Sequence, residues 1–271
     1  MTEANNWREL NIANWNDRVP VHLASEFYDI EGFRSGRDSL PDYEVAEVGD
    51  VSGKSLLHLQ CHIGLDTLSW ARRGATVTGL DFSAPAIGAA RDLAASMDLA
   101  AEFVTADVYE AASVLPGRSF DIVYTGIGAL CWLPDIPRWA EVVASLIATG
   151  GFLYLTDGHP FALILDFETG STVESDYFDT TGQVEDLQYT YTDGDAAIEH
   201  ATSVQFQHPL GEIVTALIAA GLRIEFLHEQ DFSLWRTFRT LRPSPGSAAF
   251  RPEPGKPRVP LLFSLRAARS S

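Results

Sequence analysis

From Lys54 onward the chain alternates short apolar runs with runs of helical period, and this alternation limits the fold more than any other feature. Residues 55–61 (SLLHLQC) form an apolar run that stops at a turn and read as a buried strand. Residues 66–73 (DTLSWARR), with Leu65, Leu68 and Ala71 on one side, read as a helix. Gly74 stands where a left-handed C-terminal residue belongs. TVTGLDF at 76–82 is the next strand, and Ser83 is placed to cap a helix running to about Ser96, with Pro85 in its first turn. AEFVTAD (101–107) and SFDIVYTGIG (119–128) are two further strands. Cleaner amphipathic helices are expected over 137–149 and 209–220, each ending at glycine and each followed by a strand, GFLYLTD and RIEFLHE. LLFSLRA at 261–267 is the last strand candidate.

Strand and helix in alternation imply an α/β fold. We expect a doubly wound, mostly parallel seven-stranded sheet with helices on both faces and an antiparallel last strand. Residues 1–50 are rich in aromatics and weak in apolar period, so they are read as an N-terminal helical cap. Residues 51–271 make the main domain. Its rhythm is broken at 157–208, where the patches DYFDTT, LQYTYT and SVQFQ suggest an inserted lid of short antiparallel strands. The Pro-rich stretch 242–260 reads as a surface loop.

Composition narrows the partners. The chain has 271 residues, 37 acidic and 19 basic, for a formal charge of −18. Such a surface repels nucleic acid and anionic membranes. The two cysteines, Cys61 and Cys131, do not make a disulfide framework and read as small buried residues. The N-terminus lacks the pattern of a secretory signal, and no run of 18 apolar residues occurs, so a cytoplasmic protein is expected. His58 and His62 are spaced i, i+4 across a strand and turn, not on one helix face, and no metal site is expected. A homodimer through the inserted strands is an open option.

In doubly wound sheets ligands bind at the carboxyl ends of the strands, at the point where strand order reverses. Asp81 ends the second strand, 21 residues after Gln60, the spacing of a carboxylate that accepts from a ribose diol. Its simpler role would be to cap the next helix. A dinucleotide site wants G-x-G-x-x-G at the first turn, so that pyrophosphate meets bare backbone. The turn here is Gln60-Cys61-His62-Ile63-Gly64, with bulky side chains that crowd a pyrophosphate. An adenosyl group without phosphates suits it better.

The runs LLHLQCHIGLDTLSWARRGATVTGLDFS, FVTADVYE, FDIVYTGIGALCWLPDI and GGFLYLTDGHP resemble class I S-adenosylmethionine-dependent methyltransferases. They are similar to a bacterial small-molecule branch whose first motif reads H-L-Q-C-x-x-G-x-D-T rather than D-x-G-x-G-x-G. The resemblance covers roughly residues 10–230, on the scale of one domain. It implies S-adenosylmethionine as cofactor, with Gln60, Cys61 and Gly64 lining the methionine and sugar. It further implies Asp81 on the ribose, Phe82 beside the adenine, Asp107 accepting from the adenine amino group with Val108 next to it, and Thr125 and Gly126 near the sulfonium. Asp107 has an alternative role as a turn cap, and Asp66 with Thr67 either binds the methionine amine or caps the first helix.

Transfer of a methyl from sulfur is an in-line displacement in which the protein mainly aligns the partners at about 3–3.5 Å. His159, in TDGHP after the fifth strand, is the candidate base or substrate contact. Trp15, Tyr28 and Trp132 are candidates for the wall of an aromatic substrate pocket, or for plain core. The leading expectation is methyl transfer to O, N or C of a small metabolite. The alternatives are a cofactor-binding cyclase or isomerase, a non-catalytic partner subunit and, more distantly, a nicotinamide oxidoreductase.

Overall fold

A computed structural model describes residues 6–192, 196–244, 246 and 249–269. Three helices lead: α1 (Trp7–Ala24), α2 (Ile30–Arg34) and α3 (Asp42–Val48). The alternation then runs β1 (Ser55–Leu59), α4 (Leu65–Arg72), β2 (Thr76–Asp81), α5 (Ala84–Ser96), β3 (Ala101–Thr105), α6 (Ala111–Val114), β4 (Phe120–Thr125), α7 (Ile136–Leu146) and β5 (Ile147–Gly158). After it come α8 (Pro160–Leu163), β6 (Gln183–Asp186), β7 (Thr202–Gln205), α9 (Leu210–Ala219), β8 (Leu222–Gln230), β9 (Arg242–Pro243), β10 (Phe250–Arg251) and β11 (Leu262–Arg269).

The main sheet has seven strands in the order β3-β2-β1-β4-β5-β11-β8. β1 to β5 pair in parallel, and β11 pairs antiparallel with both β5 and β8. This is the expected architecture. Order reverses between β1 and β4, whose register sets Leu59 beside Thr125. The crevice beyond those two residues is therefore the topological switch point.

β1 shows why its sequence carries apolar residues in both phases, with His58 the buried polar exception that meets Thr67. Leu57 and Leu59 join a core beneath α7 that holds Trp139, Val143, Leu146, Val123 and Leu153. Leu56, one residue out of phase, faces the opposite core with Trp70, Val77, Ile122 and Tyr124. A strand covered on both faces needs apolar residues in both phases. Each fully buried leucine contributes roughly 1.5–3 kcal/mol.

Two boundaries differ from expectation. α7 ends at Leu146, not Thr149: Ile147 turns extended and pairs with Phe120 of β4. The left-handed Gly150 then lies inside β5, near a register shift, and Gly151 passes so close to β4 that a Cβ would sit 2.7 Å from Asp121 O. The two glycines make a bulge in a strand rather than the stop of a helix. Of the three patches in the insertion only SVQFQ supplies a strand, β7, and its antiparallel partner β6 lies between the other two patches. The DYFDTT patch is turns, because Asp176 and Asp179 accept from the N–H groups of Phe178 and Thr181 and close Asx turns. Among the described residues no helix is long and apolar enough to cross a membrane.

Candidate active site

The loop leaving β1 is built on left-handed backbone. Gln60 has φ 57°, His62 φ 50° and Gly64 φ 79°. The positions where a resembling motif carries glycines thus keep glycine geometry with bulky side chains, at a cost of about 1–2 kcal/mol each. Gly64 itself admits no side chain, since a Cβ there would stand 2.8 Å from Ala90 Cβ of α5. The loop is pinned to β2: the Cys61 N–H donates to Leu80 O at 3.0 Å, and the His62 N–H donates to Asp81 Oδ2 at 2.8 Å. Asp81 Oδ1 accepts from the Ser83 N–H at 2.8 Å. The carboxyl is 8% exposed, and burial raises its pKa to about 6 despite these donors.

α1 lies across the carboxyl ends of the first three strands. Arg8 Nε bonds Asp107 Oδ2 at 2.6 Å, beyond β3. Asn16 Oδ1 accepts from Ser83 Oγ at 2.8 Å, beyond β2. His22 Nδ1 meets His62 Nε2 at 2.8 Å, beyond β1. The tautomers follow from the donors. His62 Nδ1 accepts from the Ile63 N–H at 2.6 Å, so its proton is on Nε2 and points at His22 Nδ1. His22 then donates from Nε2 to Thr190 Oγ1 at 2.7 Å. Burial drives both imidazoles neutral, His22 to about 3 and His62 well below its ordinary value, with the Arg18 charge adding to each.

The loop after β4 closes the other side. Asp157 Oδ1 and Oδ2 accept from the N–H groups of Gly128 and Leu130, and Gln60 Nε2 donates to Ala129 O at 2.9 Å. This tethers Trp132, whose ring meets Trp15 edge to face at 5.3 Å. Trp15 in turn meets His62 at 5.2 Å, and Tyr28 stacks on His62 at 5.5 Å. Trp15, Tyr28 and Trp132 therefore converge, from three separate segments, on the roof of the crevice. The Tyr28 and Tyr191 hydroxyls touch, and with His22–Thr190 they join the cap to the insertion.

The remaining candidates divide. Gly126 and Asp66 are neighbours, as a Cβ on Gly126 would lie 3.7 Å from Asp66 Oδ2. Asp66 is not the cap of α4; the cap is Gly64 and the helix starts at Leu65. Burial raises the Asp66 pKa. Thr67 is turned into the core, with Oγ1 2.8 Å from His58 Nδ1. Cys61 is a buried thiol against β2 whose pKa burial raises. Phe82 is half-buried and Val108 buried. Asp107 does cap a turn, its Oδ1 accepting from the Tyr109 N–H, and it holds Arg8 as well. His159, 4% exposed, has both nitrogens engaged: Nδ1 accepts from the Phe161 N–H and Nε2 lies 3.0 Å from Glu229 Oε1. It offers no free lone pair to the crevice. Among the described residues no cluster of three His, Cys, Asp or Glu is arranged to hold a metal.

Arg18 and His22 are candidate site residues that sequence reasoning missed. Their signal was a polar stripe of helical spacing, Asn11, Asn14, Trp15, Arg18 and His22, on a helix whose apolar period is weak. Among the buried side-chain atoms with no hydrogen-bond partner among the described residues are Gln60 Oε1, Thr125 Oγ1, Trp15 Nε1 and Arg18 Nε.

A family model described as a methyltransferase domain matches residues 57–153. The ubiquinone biosynthesis O-methyltransferase of Aeromonas salmonicida is 30% identical over 138 residues, 49% of this chain and 57% of that protein. The chain thus spans little more than half the length of the curated relatives it matches. Among solved structures, an S-adenosylmethionine-dependent methyltransferase of Mesorhizobium loti superposes with a TM-score of 0.56 at 20% identity, covering 87% of this chain and all of that one. The DhpI–SAH complex superposes with a TM-score of 0.57 at 17% identity, covering 100% and 99%. The chain has the fold of these enzymes, and residues 57–153 carry the match to the methyltransferase domain.

Proposed function

We propose that the chain is an S-adenosylmethionine-dependent methyltransferase that acts on a small molecule. The observation that carries this reading is the Asp81 carboxylate, buried at the switch-point end of β2 and locked by the first loop. A carboxylate offers about four acceptor positions. Two are taken by the N–H groups of His62 and Ser83, which leaves two for the cis hydroxyls of a ribose. Gln60 Oε1 and Thr125 Oγ1, without partners and buried beside each other's strands, suit the polar atoms of an adenosyl ligand further along the crevice. The bulky Gln60 and His62 argue against a pyrophosphate cradle.

Bound there, S-adenosylmethionine supplies a methyl group already activated on sulfur. Asp81 holds the ribose; Phe82, Val108 and Asp107 border the adenine; Asp66 faces the methionine amine across Gly126. α1 and the segment 190–191 roof the site and exclude water, so the chain's work is alignment. The relatives named for O-methylation support an oxygen acceptor.

Calorimetric titration with S-adenosylmethionine and S-adenosylhomocysteine tests the reading. Both are expected to bind, and Asp81→Ala to abolish binding. A wild-type chain that binds neither, or that binds NAD instead, overturns it.

A further inference from the structure

Arg18 is a poorly accommodated buried charge. It is 5% exposed, its Nε is buried without a hydrogen-bond partner, and no carboxylate forms an ion pair with it among the described residues, Glu185 acting on it only from further off. Its guanidinium stands 4.9 Å from the centre of the Trp15 ring and 5.5 Å from that of Trp132. Two cation–π contacts of this kind are attractive. They do not replace the hydration of an ion that cannot shed its proton. In a chain of net charge −18, a buried cation with no carboxylate in contact, Glu185 being the acid that acts on it from a distance, leaves room for an anion from outside.

The surroundings say which anion. Trp15 and Trp132 hold Arg18, and Trp15 leads on to a ring cluster in which Tyr28 and His22 stack on His62, with both histidines driven towards the neutral form by burial. Trp132 belongs to the short 3-10 turn just past β4, downstream of Thr125 and Gly126. The guanidinium, held against Trp15 and Trp132, therefore sits on the side of the crevice that follows β4.

We propose that Arg18 is the receptor for a carboxylate on the methyl acceptor, and that the acceptor is a small planar aromatic acid. The proposal rests on the methyltransferase reading for the word acceptor, but the anion site itself stands on Arg18 and its ring neighbours. Entry requires two of the links between cap and insertion, Tyr28–Tyr191 and His22–Thr190, to open.

The test is a binding measurement on the full chain saturated with S-adenosylhomocysteine, read by tryptophan fluorescence and calorimetry. The probes are benzoate, 4-hydroxybenzoate and phenylacetate, each paired with its neutral amide. At least one acid is expected to bind ten-fold or more tighter than its amide, with Arg18→Met abolishing the difference and Arg18→Lys keeping part of it. Arg18→Met is also expected to raise Tm, because it removes an uncompensated buried charge at similar volume. Equal binding of acids and amides, no binding of any acid, or a lower Tm for Arg18→Met overturns the proposal. A second source of the carboxylate is the cofactor itself. If Arg18→Met weakens S-adenosylhomocysteine ten-fold but leaves 5′-methylthioadenosine unchanged, the arginine serves the methionine end and the acceptor assignment falls. A wild-type chain that binds neither nucleoside fails the methyltransferase reading instead, and the acid–amide comparison then reports on the anion site alone.

Discussion

The sandwich beneath α7 and the contact between α1 and the insertion are both tightly buried, but they are made of opposite materials. Under α7, Ile136, Trp139, Ala140, Val143 and Leu146 meet strands that are apolar on both faces. Under α1, the buried residues are Asn11, Asn14, Arg18 and His22, with Val19 the one aliphatic side chain among them. Asn11 acts as a piece of strand: its Nδ2 donates to Val204 O and its Oδ1 accepts from the Val204 N–H, at 2.9 and 2.8 Å, continuing the ladder of β7. Asn14 reaches His200 O, and Asp17 takes the His200 N–H. The apolar contact is non-directional and holds the domain together. The polar one is directional, and it opens by exchanging its bonds for water at small net cost, about 1 kcal/mol per bond. A roof that must admit a ligand is better made of the second kind.

The largest contrast is expected at the centre of the apolar side. Trp139→Ala removes a fully buried indole and should destabilise the whole domain by about 3–5 kcal/mol, in one cooperative thermal transition. If only local opening of α7 were seen, the sandwich would not be the unit of stability.

On the polar side, Asn11→Ala strands the Val204 N–H and C=O in a buried position, at about 1–3 kcal/mol. The loss should be local. Hydrogen exchange is expected to speed up in β7 and at 190–192 while β1 and β4 keep their protection. Global loss of protection in the mutant would erase the distinction between the two regions.

The same distinction explains what was legible. β1 to β5, α5 and α9 are visible in sequence because apolar period and caps such as Ser83 act locally. α7 reads three residues too long, since Gly150 and Gly151 serve β5 through close contact with β4, which no local pattern reports. α1 looks featureless because the stripe it buries is polar, and its partners are main-chain atoms nearly two hundred residues away. In the site, Asp81 stands out by spacing alone, and Trp15 and Trp132 by aromatic type and place. Arg18 and His22 are identified only when the insertion is folded over them. His159 sits after β5 as expected, but Phe161 N–H and Glu229, close only in space, use up its ring.

A smaller effect separates the two sides by pH. Burial holds the Asp81 pKa near 6, above its unfolded value, so this group favours the folded state when protonated and ceases to do so as pH rises through about 6. The ribose hydroxyls need the ionised form. Affinity for S-adenosylhomocysteine should therefore be flat above about pH 7 and fall roughly ten-fold per pH unit below 6, while thermal stability of the free protein does not fall in step. Affinity unchanged down to pH 5 would remove Asp81 from the ribose.

The smallest expected effect lies at the seam between the regions, in the loop that α1 covers and β1 anchors. Gln60 holds φ 57° and spends its side chain on Ala129 O. Gln60→Ala loses that bond and keeps the left-handed strain. Gln60→Gly loses the same bond but adopts the backbone freely, at the cost of more entropy in the unfolded chain. Gly should come out more stable than Ala by about 1 kcal/mol, read as a difference in denaturant midpoint at equal slope. The opposite order would mean that the loop does not require the left-handed conformation. The bulky residues at 60 and 62 would then be accommodated by a different backbone, and the geometry that places His62 N–H on Asp81 would no longer follow from the strand end.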